Sequence, residues 1–255
     1  MAEISVRGVT LLPPEKVSAG TFRVLVPVMA NDLAPLSRAG QAGDIVELRL
    51  DALEPLNEPS ICAALCKTRE ILGPDKPILA TIRTAREGGL ADITPERYEQ
   101  LCLAILSADA ADLIDVEFSA GERCTSVIRD VARKAGVYTV FSSHDFDKTP
   151  PCAEMTERLC RMGAQGADIA KLAVMPHTAA DAAALLEATA RAGAAMPGVP
   201  LITMSMGSIG AVTRICGAAF GCCAGFAAAG VTSAPGQPAA PLLRTALGNL
   251  SEMGL

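Results

Sequence analysis

Short runs rich in β-branched and aliphatic residues recur along the chain. Each is followed by a turn and then by apolar residues at three- and four-residue intervals. The runs are FRVLVPVM (22–29), DIVELRLDAL (44–53), PILATIRT (77–84), DLIDVEFS (112–119), GVYTVFSSHD (136–145), ADIAKLAVMP (167–176), PLITMSMG (200–207) and GVTSAPG (230–236). Runs of this length bounded by turn residues predict strands. The intervening periodicity predicts helices over 57–72, 94–110, 119–136 and 178–193. Thr94 and Pro95 suit a helix start and Gly136 a helix stop.

Eight strand–helix units with no break in composition predict a closed (β/α)8 barrel, an α/β fold made by one catalytic domain over residues 1–255. A doubly wound open sheet is the alternative, but no GxGxxG fingerprint follows the first strand. The first twelve residues predict a short hairpin closing the barrel bottom.

Parallel strands buried on both faces should be apolar throughout. Several here are not. Glu47, Arg49 and Asp51 alternate with leucines, Arg83 follows Ile82, Asp115 and Glu117 share a face, His144 ends its strand and Lys171 sits late in its own. Because outer positions pack against helices, period-two geometry sends these polar sets into the barrel. They also lie late in their strands, at the end where barrel enzymes hold their sites. An internal ion-pair network without chemistry is the competing account, and for Asp115 and Glu117 it is as good. His177, the other histidine, reads as a surface or helix-start residue.

The composition narrows the class. At 255 residues and 50% hydrophobic the chain can bury a large core, and with 3% aromatics and no Trp that core is aliphatic. A net charge of −6 without a basic run argues against nucleic acid or an anionic membrane as partner. No stretch is long and apolar enough to span a bilayer, and the Ala/Gly-rich segment 215–231 reads as a helix and then a strand. The N-terminus lacks the apolar core of a signal peptide, so a cytosolic location is expected. Nine scattered Cys without CxxC spacing fit a reducing compartment better than a zinc site, and no metal is expected.

A lysine amine attacks a carbonyl only when unprotonated, and burial beside cations favours that form. Lys171 is expected to be crowded by Arg49, Arg83 and Arg214. His144, on the neighbouring strand, suits the removal of a proton from the carbon next to the resulting imine. Glu87, in RTAREGG, is the candidate to orient it, with two glycines after it that let the loop bend over the site. This points to a Schiff-base barrel enzyme acting on a ketone. It leaves open a dehydratase, a class I aldolase with MGSIG as a partial phosphate cradle, and a silent barrel that binds an acidic metabolite.

The motifs VELRLD, TIRTAREGG, DLIDVEF, FSSHDF, ADIAKLAVMP, ITMSMG, VTRICGAAFG and SAPGQ occur in order. In this the chain resembles the type I 3-dehydroquinate dehydratase family along nearly its whole length. The resemblance implies the (β/α)8 barrel, no metal or organic cofactor, 3-dehydroquinate as substrate, a place in the shikimate pathway and a homodimer. It further implies that Lys171 forms the imine, that His144 is base and then acid, and that Glu87 pairs with His144. Arg214 would bind the substrate carboxylate, and Glu47, Arg49 and Arg83 the ring hydroxyls. Ser233 and Gln237 would belong to a closing loop, and Met204 and Met206 would pack on the ring. Asp115 and Glu117 are expected only as supports behind the site. Ser143, Phe118 and Pro27 depart from the family pattern, and no substrate contact is assigned to the first strand. The chain ends at Leu255, so no fused shikimate dehydrogenase is expected.

Overall fold

A computed structural model describes residues 3–230 and 236–255. It opens with β1 (Ile4–Val6) and β2 (Val9–Leu11), paired antiparallel. Arg7 and Gly8 join them at φ 46° and 79°, the left-handed pair that a two-residue hairpin turn requires.

Eight further strands follow: β3 (Arg23–Met29), β4 (Ile45–Arg49), β5 (Ile78–Thr81), β6 (Leu113–Glu117), β7 (Tyr138–Asp145), β8 (Ile169–Val174), β9 (Leu201–Ser205) and β10 (Ala224–Phe226). They form one parallel sheet in the order β10-β3-β4-β5-β6-β7-β8-β9. A bridge between Leu201 and Cys222, with the Cys223 N–H donating to Leu201 O at 2.8 Å, brings the two edges together. The helices among the described residues are α1 (Leu36–Ala42), α2 (Glu58–Leu72), α3 (Pro95–Ser107), α4 (Glu122–Ala135), α5 (Cys152–Ala164), α6 (Ala179–Ala195), α7 (Gly207–Cys216) and α8 (Ala240–Glu252). This is the expected (β/α)8 barrel. None of these helices is long and apolar enough to cross a membrane.

Local sequence sets the helix limits. Asn57 accepts from the Ser60 N–H at 3.0 Å and Thr94 from the Arg97 N–H at 3.3 Å. Thr178 and Asp181 form a reciprocal capping box. Gly136 ends α4 at φ 71°, where a Cβ would be strained. The expected helix over 94–110 stops at Ser107 because Asp109 turns left-handed, at φ 49°.

One strand expectation needs correction. The run at 230–236 falls largely on residues outside those described, and the eighth place in the sheet belongs to β10, Ala224–Phe226, six residues earlier. Within 215–230 the chain forms the end of α7, a 3-10 turn at Gly217–Phe220 and then β10.

Two layers of apolar side chains fix which way the strands face. Leu48, Ile114, Val116, Phe141, Leu172 and Val174 point outward and pack beneath the helices with Ile61, Leu65, Leu101, Ile105, Leu159 and Leu185. Each such side chain removed from water contributes about 1.5–3 kcal/mol. The alternate positions point inward. Leu25, Ile45, Leu79, Leu113, Val140 and Ile169 fill the lower barrel and meet Ile4, Val6 and Leu11, so the hairpin plugs the bottom as expected. Two residues further along the same strands stand Glu47, Thr81, Asp115, Ser142 and Lys171, all buried. The apolar plug therefore forces the polar sets to the C-terminal mouth.

Candidate active site

Lys171 rises from the middle of β8, in register with Ser142 of β7 and Ile202 of β9. It is 3% exposed. Its Nζ lies 2.8 Å from Asp115 Oδ2, 3.8 Å from Glu47 Oε1 and 4.7 Å from the centre of the Phe226 ring. The expected crowding by guanidiniums is thus corrected. The charged groups paired with the amine among the described residues are the carboxylates Asp115 and Glu47, and Arg83 shares Asp115 with it. Asp115 stands behind the site as expected, since it holds the amine but does not line the pocket.

Asp115 holds three groups together. Oδ1 accepts from Ser142 Oγ at 2.6 Å and pairs with Arg83 Nη2 at 2.8 Å, while Oδ2 takes Lys171. Burial alone would raise this acid, but Arg83, Lys171 and His144 outweigh it and hold it below the usual carboxylate range. Arg83 spans the floor of the site. Its Nη1 also donates to Glu117 Oε1 at 2.9 Å and to Ser142 Oγ at 3.1 Å. Burial works against its charge, yet Asp115, Glu117 and Glu87 keep the guanidinium above its ordinary value. Glu117 is anchored by the Thr84 N–H at 2.9 Å and Thr84 Oγ1 at 2.6 Å, and its own N–H donates to the Tyr98 hydroxyl at 2.8 Å.

His144 ends the inward row of β7. Its Nδ1 lies 2.9 Å from Glu87 Oε2, which also accepts its backbone N–H at 3.0 Å. Desolvation, Arg83 and Lys171 hold the imidazole well below its ordinary value, against the pull of Asp115. Glu87 stands in a short turn, Ala85–Glu87, and is 3% exposed. Burial and the Glu117 charge push it up to about 7, against Arg83 and a hydrogen bond from Ser119. The turn closes because Gly88 takes φ 78° beneath the Phe146 ring and Gly89 sits where a Cβ would stand 2.1 Å from Arg83 O.

Arg214 comes from α7 and is 2% exposed. Nη1 meets Met204 Sδ and Phe226 O, each at 3.4 Å, while Nε has no hydrogen-bond partner among the described residues. No carboxylate among those residues pairs with it, and desolvation lowers it to about 10. Two other expected residues are more occupied. Arg49 is tied to Asp51 by two hydrogen bonds of 2.8 Å, and Glu47 Oε1 accepts from Thr81 Oγ1 at 2.9 Å.

These side chains share one pocket of about 520 Å³, its open mouth included. Lys171, His144, Glu87, Glu47, Arg49, Arg83, Arg214 and Gln237 all line it. So do Met204 and Met206, which form an apolar wall with Ala173, Phe146 and Phe226. Of the expected site residues only Ser233 is not placed, because it lies outside the described residues. His177 stands outside the pocket, exposed ahead of α6 as expected. Sequence reasoning missed Phe226 and Phe146. Phe226 sits in an Ala-Gly-Phe run that carries no strand signature, and nothing sets Phe146 apart from any residue after a strand.

The arrangement suits covalent chemistry on a small anionic ketone. A buried amine, an imidazole held by Glu87 and a buried cation that no carboxylate among the described residues pairs with face one cavity. MGSIG forms the start of α7. Gly210 packs against the end of β9, where a Cβ would lie 2.3 Å from Ser205 O.

A family model described as type I 3-dehydroquinase matches residues 23–253. The 3-dehydroquinate dehydratase of Bacillus licheniformis is 37% identical over 250 residues, 96% of each chain. That of Syntrophotalea carbinolica is 38% identical over 259 residues, 99% of each chain. Among solved structures, type I 3-dehydroquinate dehydratase from Clostridium difficile, with covalent modified comenic acid, superposes with a TM-score of 0.89 at 33% identity over 99% of each chain. The 3-dehydroquinate dehydratase of Geobacillus kaustophilus gives 0.89 at 33% identity over 100% of this chain and 98% of its own. A 3-hexulose-6-phosphate synthase, at 18% identity and a TM-score of 0.58, shares the barrel alone. From its third strand to its last helix, the chain belongs to the type I 3-dehydroquinase family, a family of hydro-lyases.

Proposed function

We propose that this barrel removes water from 3-dehydroquinate to give 3-dehydroshikimate through a Schiff base on Lys171, within the shikimate pathway. The amine passes a proton to His144 and adds to the C3 carbonyl; the carbinolamine hydroxyl takes that proton back and leaves as water, giving an iminium and a neutral His144. That cation draws electrons from the C2–H bond. His144 takes the C2 proton at Nε2, and the electron pair is held as an enamine. The pair then returns to form the C1–C2 double bond as the C1 hydroxyl leaves, taking the proton from His144 to depart as water. Hydrolysis of the product iminium restores Lys171. The iminium is the electron sink, so the reaction needs no metal or organic cofactor.

Glu87 holds Nδ1–H of His144, which leaves the Nε2 lone pair facing the pocket. Arg214 takes the C1 carboxylate with two N–H groups, a geometry that a planar guanidinium matches. Glu47, Arg49 and Arg83 meet the ring hydroxyls, Met204 and Met206 cover the ring, and Ser233 and Gln237 belong to the covering loop. The single observation that carries this reading is the meeting of Lys171, the His144–Glu87 pair and Arg214, which pairs with no carboxylate among the described residues, around one cavity. We place the enzyme in the cytosol as one catalytic domain, and infer a homodimer from the family resemblance, which sedimentation would test.

Elimination creates a C1–C2 double bond conjugated with the C3 ketone, so ultraviolet absorbance should rise when the protein meets 3-dehydroquinate. No rise, with turnover of a sugar phosphate instead, would replace the dehydratase reading by the aldolase one.

A further inference from the structure

The two oxygens of Glu87 have different partners. Oε2 faces His144, accepting its backbone N–H at 3.0 Å and meeting Nδ1 at 2.9 Å. Oε1 accepts the hydroxyl of Ser119 at 2.5 Å, the shortest hydrogen bond recorded in the site. Ser119 is exposed, in the Phe118–Ala120 turn that follows β6. It does not line the substrate pocket. It lines a second cavity with Thr84, Tyr98 and Glu117, while Glu87 and His144 line the first. The Ser119–Glu87 bond therefore joins an outer cavity to the acid–base pair.

We infer that Ser119 is a positioning residue, whose hydroxyl fixes the Glu87 carboxylate so that Oε2 holds His144 with Nδ1–H inward and the Nε2 lone pair toward the substrate. This rests on His144 acting as the base, as read above. A buried carboxylate that loses a hydrogen-bond donor protonates more readily. Protonated Glu87 donates to Nδ1, and the ring proton then sits on Nε2, where it blocks uptake of the C2 proton. The charged groups facing the pair stay in place without Ser119: Arg83 favours the carboxylate, Asp115 and Glu117 oppose it, and Lys171 and Arg49 act on the ring. Only the donor on Oε1 is removed, so the effect should appear in the pH profile.

The test compares wild type, Ser119→Ala and Ser119→Thr. Ser119→Ala should move the acid limb of kcat/KM upward by about one pH unit, with kcat falling at low pH, recovering in alkali, and KM nearly unchanged. Ser119→Thr, which keeps the hydroxyl, should restore the wild-type limb. The chain has only two histidines, so ring nitrogen shifts of 15N-histidine protein report the tautomer directly, with exposed His177 as reference. At neutral pH, Ser119→Ala should shift the His144 ring toward the Nε2–H form. An unmoved acid limb, a loss of rate equal at every pH, or unchanged ring shifts would overturn the inference. If the wild type did not turn over 3-dehydroquinate, the functional reading would fall, while the ring shifts would still decide the role of Ser119.

Discussion

Asp115 Oδ2 lies 2.8 Å from Lys171 Nζ, and its other oxygen lies 2.8 Å from Arg83 Nη2. One fully buried carboxylate thus holds two buried cations in fixed places. Asp115→Asn keeps the shape and removes the charge, leaving those cations without their main partner. Such a change should cost about 3–5 kcal/mol in urea unfolding. The folded value of Asp115 lies below its ordinary 3.8, so its contribution is present above that pH and lost as pH falls below it. Wild type should therefore lose more stability than Asp115→Asn on acidification. Equal losses would show that the cations do not depend on this acid.

Glu87 and His144 pull stability in opposite directions. Glu87 is raised on folding from an ordinary 4.5 to about 7, so its contribution is full below the first value and gone above the second. His144 is lowered from 6.5, so its contribution is full above that value and lost below it. Glu87→Gln removes only the first effect. Its melting temperature relative to wild type should be more favourable at about pH 8 than at about pH 4.5. A difference independent of pH would contradict the raised carboxyl.

Much of this site is legible in the alternation of residues, because a strand buried on both sides has one place for charge. Once helices cover the Leu48, Val116 and Leu172 face, Glu47, Asp115 and Lys171 must point inward. What alternation cannot give is contact. Asp115 and Glu117 stand on the same face, and nothing in their spacing says which one reaches across β7 to the amine. Nor does it reveal that Arg83 and Lys171 share one carboxylate. The eighth strand was misplaced because Ala224–Phe226 contains no β-branched residue, whereas the later 230–236 run opens with Gly-Val-Thr. Ser119 escapes because a serine after a strand reads as a turn residue; its bond to Glu87 exists only once the two loops fold side by side.

Arg214 is buried with no carboxylate partner among the described residues, a costly arrangement for a cation. Arg214→Leu should therefore leave the melting temperature unchanged or raise it. The same variant should weaken binding of a carboxylate-bearing substrate by at least roughly thirtyfold, read in KM or by titration calorimetry. Lower stability with intact affinity would assign Arg214 to the fold rather than to the substrate.

The proposed mechanism turns on a covalent bond between Lys171 and the substrate ketone. Borohydride added during turnover of 3-dehydroquinate reduces an iminium to a stable amine, which intact mass and peptide mapping can locate. One adduct per chain is expected, on Lys171, and none with Lys171→Met, which should fold normally and lose turnover. An adduct on another lysine, no adduct during active turnover, or full activity in Lys171→Met would contradict it.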